Sequence, residues 1–259
     1  MAQRNLSLWL WSLVLVAVGV LLLLHNYLLL ELDVLQFWPL LLIVLGAQAI
    51  IKGDLGLSWA GKSFGITRGS VEAGTIRASS GELDMRIRAL QREGHLIAGQ
   101  YTARSRPDLQ ATDNRATLTM LRGKTWLFSL ADWDFALAGD LPWDLLLSAY
   151  LGEIEVDMRG LVIDRARITT GFGDIRLVGP DNPASRIEAR STFGDIHLTV
   201  PDNMEAAVRL QGGPLFGVRL EGKRWRQRDR NHYVTPGYDT AIEPLEFVIG
   251  GTFGDLILS

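Results

Sequence analysis

The sequence contains no cysteine and only four histidines among its 259 residues. The absence of cysteine excludes disulfide bonds, thiol catalysis and cysteine-ligated metal sites. The histidines, at positions 25, 95, 197 and 232, have none of the spacings typical of zinc sites or catalytic triads. A phosphate-binding loop and a Gly-x-Ser-x-Gly motif are also lacking. We therefore expect a protein that is not an enzyme and that has no cofactor and no small-molecule substrate.

The sequence also has no large excess of basic or of acidic residues. The chain has 26 basic and 29 acidic residues, and its formal net charge is −3. Nothing in this balance favours nucleic acid as a partner. Hydrophobic residues nevertheless make up 47% of the chain, which is high for a purely soluble protein, and the excess is concentrated at the N-terminus.

Two apolar segments near the N-terminus predict a pair of membrane-spanning helices. Residues 6–24 carry no charge and would extend about 28 Å as a helix, which matches a bilayer core. Residues 34–51 form the second segment, with Trp38 and Pro39 where a helix would begin at the interface. The first segment is too long for a signal peptide, and no Ala-x-Ala site follows it. We predict a two-helix transmembrane region over residues 1–52.

The flanking charges predict the orientation of this region. The connecting segment, residues 25–36, has no basic residue but contains Glu31 and Asp33. Basic residues lie outside the two apolar segments, at Arg4, Lys52, Lys62 and Arg68. By the positive-inside tendency, the N-terminus and the C-terminal domain of this multi-pass protein are both expected in the cytoplasm.

The pattern becomes strand-like after the apolar segments, since no helical period is sustained there over more than about ten residues. Residues 53–69 are expected to be a juxtamembrane linker. Short stretches that alternate or favour strands follow, at 70–78, 81–90, 95–103, 115–121 and 125–130. We predict a β-structured capping part over 70–142 and a repeat array over 143–259. Trp126, Trp133 and Trp143 cluster near this boundary, and we expect them in the core or cap of the β-array rather than in a ligand cage.

An internal repeat defines the predicted array. Thr-Gly-Phe-Gly-Asp-Ile-Arg-Leu at 170–177 recurs as Ser-Thr-Phe-Gly-Asp-Ile-His-Leu at 191–198 and as Gly-Thr-Phe-Gly-Asp-Leu-Ile-Leu at 251–258. A looser copy lies at 149–156 and a decayed one at 215–220. The marker glycines are 21, 21, 23 and 37 residues apart, at Gly152, Gly173, Gly194, Gly217 and Gly254. This period indicates stacked supersecondary units.

Each copy reads as a turn followed by a short strand. Glycine allows a positive φ and aspartate can bond its own following backbone, while Ile-x-Leu places two apolar side chains on one face. We predict a mainly β fold with a β-solenoid-like stacked-strand domain, or alternatively a β-sandwich. With rungs about 4.8 Å apart, an aromatic column is expected. Its predicted members are Phe172, Phe193 and Phe253, with Leu151 and Phe216 as imperfect ones.

The repeated aspartates, Asp174, Asp195 and Asp255, allow two interpretations. Calcium-binding solenoids use glycine-aspartate repeats, but calcium needs about six to eight oxygen ligands and each turn here offers one carboxylate. We therefore predict turn capping and no metal. A polysaccharide-active enzyme would need such carboxylates to converge in a groove with Arg176, whereas the regular register is explained by the turn alone.

A basic segment stands inside the widened spacing of 37 residues. Its five basic residues are Lys223, Arg224, Arg226, Arg228 and Arg230. One interpretation is a solvated loop whose Trp225 packs back on the array. The other is an electrostatic patch for an anionic partner, either the cytoplasmic leaflet or an acidic protein.

The residues at 37–46, Phe-Trp-Pro-Leu-Leu-Leu-Ile-Val-Leu-Gly, resemble the second helix of the two-helix membrane region in LiaI- and LiaF-type proteins. The β region from about residue 70, with its Gly-Asp-Ile-x-Leu turns, resembles the toastrack-like C-terminal domain of LiaF and related cell-envelope stress proteins. The resemblance implies a non-catalytic membrane regulator that restrains a sensor histidine kinase during cell-wall antibiotic stress.

The expected partners are thus the lipid bilayer and a membrane sensor kinase or another envelope-stress protein. Exposed edge strands at the array ends also favour a homo-oligomer. The alternative function is an envelope-facing ligand-binding module or adhesin, with the β domain outside the cell.

Overall fold

A computed structural model describes residues 62–91, 94–101, 107–112, 114–122, 132–184, 186–222 and 224–259. The two predicted membrane segments, 6–24 and 34–51, lie outside these residues, as do most of the predicted linker, Trp126 and the expected strand at 125–130. Within the described ranges, no helix is both long and apolar enough to cross a membrane.

The regular secondary structure of the described residues consists of β-strands and one short 3₁₀ helix at Tyr238–Thr240. Its strands are β1 (Lys62–Thr67), β2 (Ala73–Ser79), β3 (Met85–Ala89), β4 (His95–Tyr101), β5 (Asp108–Thr112), β6 (Arg115–Leu121), β7 (Trp133–Leu137), β8 (Pro142–Leu151), β9 (Ile154–Asp157), β10 (Val162–Phe172), β11 (Ile175–Val178), β12 (Arg186–Phe193), β13 (Ile196–Thr199), β14 (Ala206–Leu210), β15 (Leu215–Leu220), β16 (Arg226–Asp229), β17 (His232–Val234) and β18 (Leu245–Leu258).

Strand pairing arranges these elements in two rows. The first row runs β5-β6-β2-β8-β10-β12-β18-β14-β17-β16. The second row runs β1-β4-β7-β3-β9-β11-β13-β18-β15. The long strand β18 belongs to both rows, so the strands form one continuous open sheet.

Most rungs contribute one strand to each row, as β10 and β11 do, and neighbouring rungs pair in parallel. Antiparallel pairs occur toward the two ends, where β1, β4 and β5 lie at one end and β16 and β17 at the other. The predicted fold class, a mainly β domain of stacked strands, is confirmed. Parallel stacking follows from the repeat, because each copy presents the same side chains in the same register.

The spatial order of the rungs departs from their order in the chain. The last repeat copy, in β18, lies between the β12/β13 rung and the β14/β15 rung. The chain makes this return through the β16–β17 hairpin, which occupies most of the widened spacing. As a result, Phe253 is in register with Phe193.

Both rows contribute to one hydrophobic core. The alternating apolar residues of the repeats are buried, among them Ile175, Leu177, Ile196, Leu198, Leu256 and Leu258. Arg176 and His197 occupy the intervening positions and are more exposed. Trp133 and Trp143 are fully buried, and the indole N–H of Trp143 donates to the Ala138 carbonyl over 2.7 Å. The period-two pattern therefore marks the core face.

The turn glycines stack on one another where each rung passes from the first row to the second. Gly152, Gly173, Gly194 and Gly254 have φ values of 144°, 134°, 140° and 125°. A Cβ atom on Gly173 would lie 2.2 Å from the Gly152 carbonyl oxygen, and one on Gly194 would lie 2.2 Å from that of Gly173. Only glycine satisfies both the conformation and the close approach.

We expect Gly173→Ala to lower the free energy of unfolding by about 2 kcal/mol or more, because the new methyl group meets backbone on the next rung in a strained conformation. The matched control is Gly213→Ala, since the nearest atoms to a Cβ there are 3.8 Å away. Thermal unfolding of the full-length protein measures both. The expected fall in Tm for Gly173→Ala is at least about 4 °C, and equal Tm values for the two variants would contradict the role of the glycine stack.

Candidate functional site

A ridge of exposed rings follows the stacked turns. The rings of Phe172 and Phe193 stack with centroids 4.8 Å apart, and those of Phe193 and Phe253 stack at 4.7 Å, with interplanar angles of 2° and 5°. These side chains are 40–42% exposed. Tyr150 meets Phe172 edge-on at 6.1 Å, and Leu215 is in register with Phe253. We call these five residues the aromatic ridge.

The packing of the ridge determines what it can bind. Because the phenylalanine rings stack face to face, both faces of Phe193 and the inner faces of Phe172 and Phe253 are covered, so the exposed surface of the stack is formed mainly by ring edges. A sugar ring that binds an aromatic side chain by stacking needs an open ring face. The ridge therefore suits contact with apolar side chains better than contact with carbohydrate, and exposed apolar patches of this kind mark interaction sites.

Phe216 is not a member of the column, so the prediction for this residue is wrong. Phe216 is in register with Gly254, and its ring is buried against Gly251, where a Cβ atom would come within 2.1 Å of it. The space over Gly251 accommodates the ring, and burying the ring gains more free energy than an exposed stack. The decayed copy is thereby shifted by one residue. Leu151 is in register with Phe172, at the other end of the column.

Gly217 also differs from the other marker glycines. It is in register with Asp255, and its φ lies outside the positive range that Gly152, Gly173, Gly194 and Gly254 occupy. The prediction of an equivalent turn at Gly217 is therefore wrong. The reason is the same one-residue shift that buries Phe216.

Two of the three repeat aspartates, Asp174 and Asp195, cap the next rung rather than their own turn, whereas Asp255 forms an ion pair with Arg219. Oδ1 of Asp174 accepts the Asp195 backbone N–H at 2.8 Å, and Oδ1 of Asp195 accepts that of Asp255 at the same distance. Asp84 accepts the Glu153 backbone N–H at 2.7 Å. The expectation of bonds within one turn is corrected: stacking brings the neighbouring N–H within reach. In the part of the chain that the structure describes, no cluster of three metal-ligating side chains occurs.

Some basic side chains of the segment form contacts within the protein, and others are exposed to solvent. The Arg224 guanidinium donates to the carbonyls of Val200 and Pro201 at 2.7 and 2.8 Å, and its ion pair with Asp202 spans 3.2 Å. Arg224 thus anchors the turn after β13 and is engaged by the protein itself. Lys223 lies outside the described residues.

The remaining cations line the edge of the array. Arg228 forms an ion pair with Asp239 at 2.7 Å, while Arg226 and Arg230 are exposed. Trp225 packs back on the array, where it is buried and its indole N–H lies 3.4 Å from the Ser259 carbonyl oxygen. Strand β16 pairs with β17 alone among the described strands, and charges on an edge strand oppose pairing with other chains.

Two adjoining grooves lie on the outer face of the first row, and the sequence did not predict them. Their volumes are 350 and 120 Å³, and they share Arg186, Gln211 and Val248. Glu188 neutralises part of the positive charge, because it pairs with Arg167 at 3.1 Å and with Arg186 at 2.8 Å. The only signal in the sequence was the recurrence of arginine at equal register in successive copies, as at Arg165 and Arg186.

The second of these grooves contains a titratable hydroxyl. Burial and the neighbouring Glu246 carboxylate raise the pKa of Tyr238 above its usual value, so this side chain stays protonated at neutral pH. Its oxygen lies 3.5 Å from a carboxylate oxygen of Glu246. This arrangement stabilises the neutral phenol rather than a reactive phenolate.

The N-terminal region is similar to a known protein family. Residues 9–50 match the family model of the LiaI-LiaF-like transmembrane region. The protein is therefore a membrane protein with a LiaI-LiaF-like N-terminal region. The match includes the helix motif at 37–46. No curated protein matches the sequence.

Two solved structures are similar to the β domain. One is a protein provisionally named as a cell adhesion protein of Clostridium sporogenes ATCC 15579, with a TM-score of 0.67, 16% identity, and coverage of 76% of this chain and 97% of that chain. This likeness shows a shared fold. The other is a provisionally named adhesin of Bacteroides fragilis NCTC 9343, with a TM-score of 0.33, 9% identity, and coverage of 78% and 98%. The second likeness is too loose to support an argument.

The aspartate caps should contribute measurably to stability. We expect Asp195→Ala to lower the free energy of unfolding by about 1 to 3 kcal/mol, because the Asp255 N–H loses its acceptor. Asp195→Asn keeps a carbonyl acceptor and should retain most of the stability. Urea unfolding of both variants measures the difference, and equal losses in the two would show that charge rather than the bond between rungs matters.

Arg224 and Arg226 should respond differently to truncation. Arg224→Ala removes the donors to several carbonyls and should cost about 2 kcal/mol of unfolding free energy. Arg226→Ala, on the exposed edge two residues away, should change it by less than about 0.5 kcal/mol. Urea unfolding of full-length variants compares the two. If Arg224→Ala left the free energy of unfolding unchanged, Arg224 would not be a structural anchor and would again be a candidate for contact with an anionic partner.

Proposed function

We propose that this protein is a non-catalytic, membrane-anchored regulator of the cell-envelope stress response that acts by protein–protein contact on a sensor histidine kinase. The main support for this proposal is the aromatic ridge, which is an exposed apolar strip on the stacked turns. The same chain has a LiaI-LiaF-like membrane region. A membrane anchor confines such a strip to partners that share the membrane, which raises their effective concentration.

The geometry of the ridge supports contact with a protein. Its side chains are held by stacking on three parallel rungs, so little conformational entropy is lost when a partner binds. Aromatic side chains of this kind often dominate the energy of protein interfaces. The turns behind the ridge are fixed by glycine stacking and aspartate caps, and they present it without rearrangement.

The proposed topology places both the N-terminus and the β domain in the cytoplasm, after two membrane spans. This arrangement follows from the basic residues that flank the apolar segments. It would bring the ridge to the side of the membrane where the catalytic domains of sensor kinases lie. In this proposal the bilayer and the kinase are both partners, and the exposed Arg226, Arg228 and Arg230 are candidates for contact with anionic lipid or an acidic protein.

The second candidate is an envelope-facing ligand-binding module or adhesin, with the β domain outside. The fold shared with the protein provisionally named for cell adhesion favours it. Topology separates the two candidates directly. A phosphatase reporter active only outside and a fluorescent reporter active only inside, each fused to Ser259, would report the side of the C-terminus.

The ridge itself is tested by photocrosslinking in cells. A photoreactive phenylalanine replaces Tyr150 on the ridge or, as the matched control, Ile242, which is 98% exposed away from it. We expect Tyr150 to crosslink to a membrane histidine kinase identified by mass spectrometry, and Phe193→Glu to reduce this product about tenfold, because a charge at the ridge centre loses apolar burial.

Two outcomes would contradict the proposal. An external C-terminus would favour the adhesin candidate. A cytoplasmic C-terminus with equal crosslinking from positions 150 and 242, or with no kinase among the products, would leave the regulator without its contact surface.

A further inference from the structure

Strand β15 (Leu215–Leu220) ends the second row with an open edge. Among the described strands it pairs with β18 alone. The first row continues past the same rung with β17 and β16. The second row is therefore two strands shorter at this end of the array, and the step exposes one side of β15.

The backbone of β15 has donors and acceptors that point away from the array. The Glu221 N–H donates to the Leu258 carbonyl on β18 at 2.8 Å. Because backbone groups alternate in direction along a strand, those of Gly217 and Arg219 face β18, whereas those of Val218 and Leu220 face the open edge. This edge can accept another strand.

The side chains of β15 protect its edge less than those of β16 do, because Arg219 is the only charged residue of this strand. Leu215 is 63% exposed and Leu220 is 41% exposed, although Leu220 is in register with the buried Leu258. The other edge at this end, β16, carries Arg226, Arg228 and Asp229. Charged residues on edge strands prevent unwanted pairing with other chains. A mainly apolar edge next to a charged one therefore indicates that pairing of the apolar edge with another strand serves a purpose.

We propose that β15 is a homotypic interface, in which two copies of this chain pair their β15 strands antiparallel about a two-fold axis at Val218. In this register Val218 lies opposite its own copy, and Leu220 lies opposite Phe216 of the second copy. The outward backbone groups of Val218 match a hydrogen-bonded pair of an antiparallel ladder, which forms two bonds across the axis. The Phe216 N–H already donates to the Gly213 carbonyl at 3.2 Å, so the Leu220–Phe216 pair contributes one bond, from the Leu220 N–H to the Phe216 carbonyl.

The side chains of this register are complementary on both faces. On the core side, Phe216, Val218 and Leu220 meet the same three residues of the second copy, which extends the apolar interior across the axis. On the outer side, Arg219 lies opposite Gly217 of the second copy at the closer, non-hydrogen-bonded type of pair.

The charge pattern at Gly217 supports the same register. A Cβ atom on Gly217 would lie 2.3 Å from Oδ1 of Asp255, so this carboxylate overhangs the glycine. Asp255 already pairs with Arg219 of its own chain at 2.5 Å. The Arg219 of a second copy, directly across from Gly217, approaches the same carboxylate. A self-complementary arrangement of backbone, apolar and charged groups identifies a second copy as the occupant.

The test uses the absence of cysteine in the chain. Full-length protein carrying Val218→Cys as its only cysteine is oxidised in native membranes and analysed without reductant. The two Val218 Cα atoms would lie about 5.5 Å apart, within disulfide range, so a reducible dimer is expected. The control is Leu220→Cys, whose Cα atoms would be about 14 Å apart across the axis and should form no dimer.

The control is informative because Leu220 is the more exposed position. Random collisions would crosslink Leu220→Cys at least as well as Val218→Cys, and that result would overturn the proposal, as would the absence of any dimer from Val218→Cys. Photocrosslinking of position 218 to a different protein without self-crosslinking would assign the edge to another partner and would also overturn it.

A second variant tests the hydrogen bonds. Val218→Pro removes an N–H that points away from β18, so the ladder within the chain is retained. Light scattering in detergent should show a dimer for the wild type and a monomer for Val218→Pro, with a similar Tm. A wild-type monomer, or a Val218→Pro dimer, would contradict the proposed pairing. If Val218→Pro fails to fold, the two cysteine variants still decide the question.

Discussion

The structure depends on the close approach of backbone to backbone at the stacked turns. Gly173 lies so near the Gly152 carbonyl that no side chain fits between the rungs, and its positive φ turns the chain from the first row of strands into the second. The rungs that meet at this contact pair in parallel in both rows. The aspartate caps reinforce it, because the carboxylates of Asp174 and Asp195 reach the backbone N–H of the neighbouring rung.

The same constraint produces the surface to which we assign function. When the turns superimpose, the side chain before each glycine must superimpose as well, and Phe172, Phe193 and Phe253 stack at the spacing of the strands. Their rings cannot enter the core, which is filled by the isoleucine and leucine of each copy. The ridge is thus a consequence of the repeat, and its exposure distinguishes it from the buried Trp133 and Trp143.

Sequence reasoning recovered the class of fold and the core face, because both follow from local patterns of glycine, aspartate and alternating apolar residues. It failed where one copy departed from the pattern. Phe216 was placed in the column by its neighbour Gly217, but the space beside Gly251 accommodates its ring and moves the register by one residue. The role of Arg224 was missed for a related reason, since its carbonyl partners lie in a distant turn.

The sequence by itself determined the repeat unit, its turn and its buried face, together with the apolar segment that carries the LiaI-LiaF-like match. These properties are local, because they depend on residues within one copy or one segment. Only the tertiary structure decided the order of the rungs. The last copy returns between two earlier ones, where the ring of Phe253 stacks on that of Phe193. Among the described strands, this order leaves β15 as the open edge of the second row, and it depends on contacts between residues far apart in the chain.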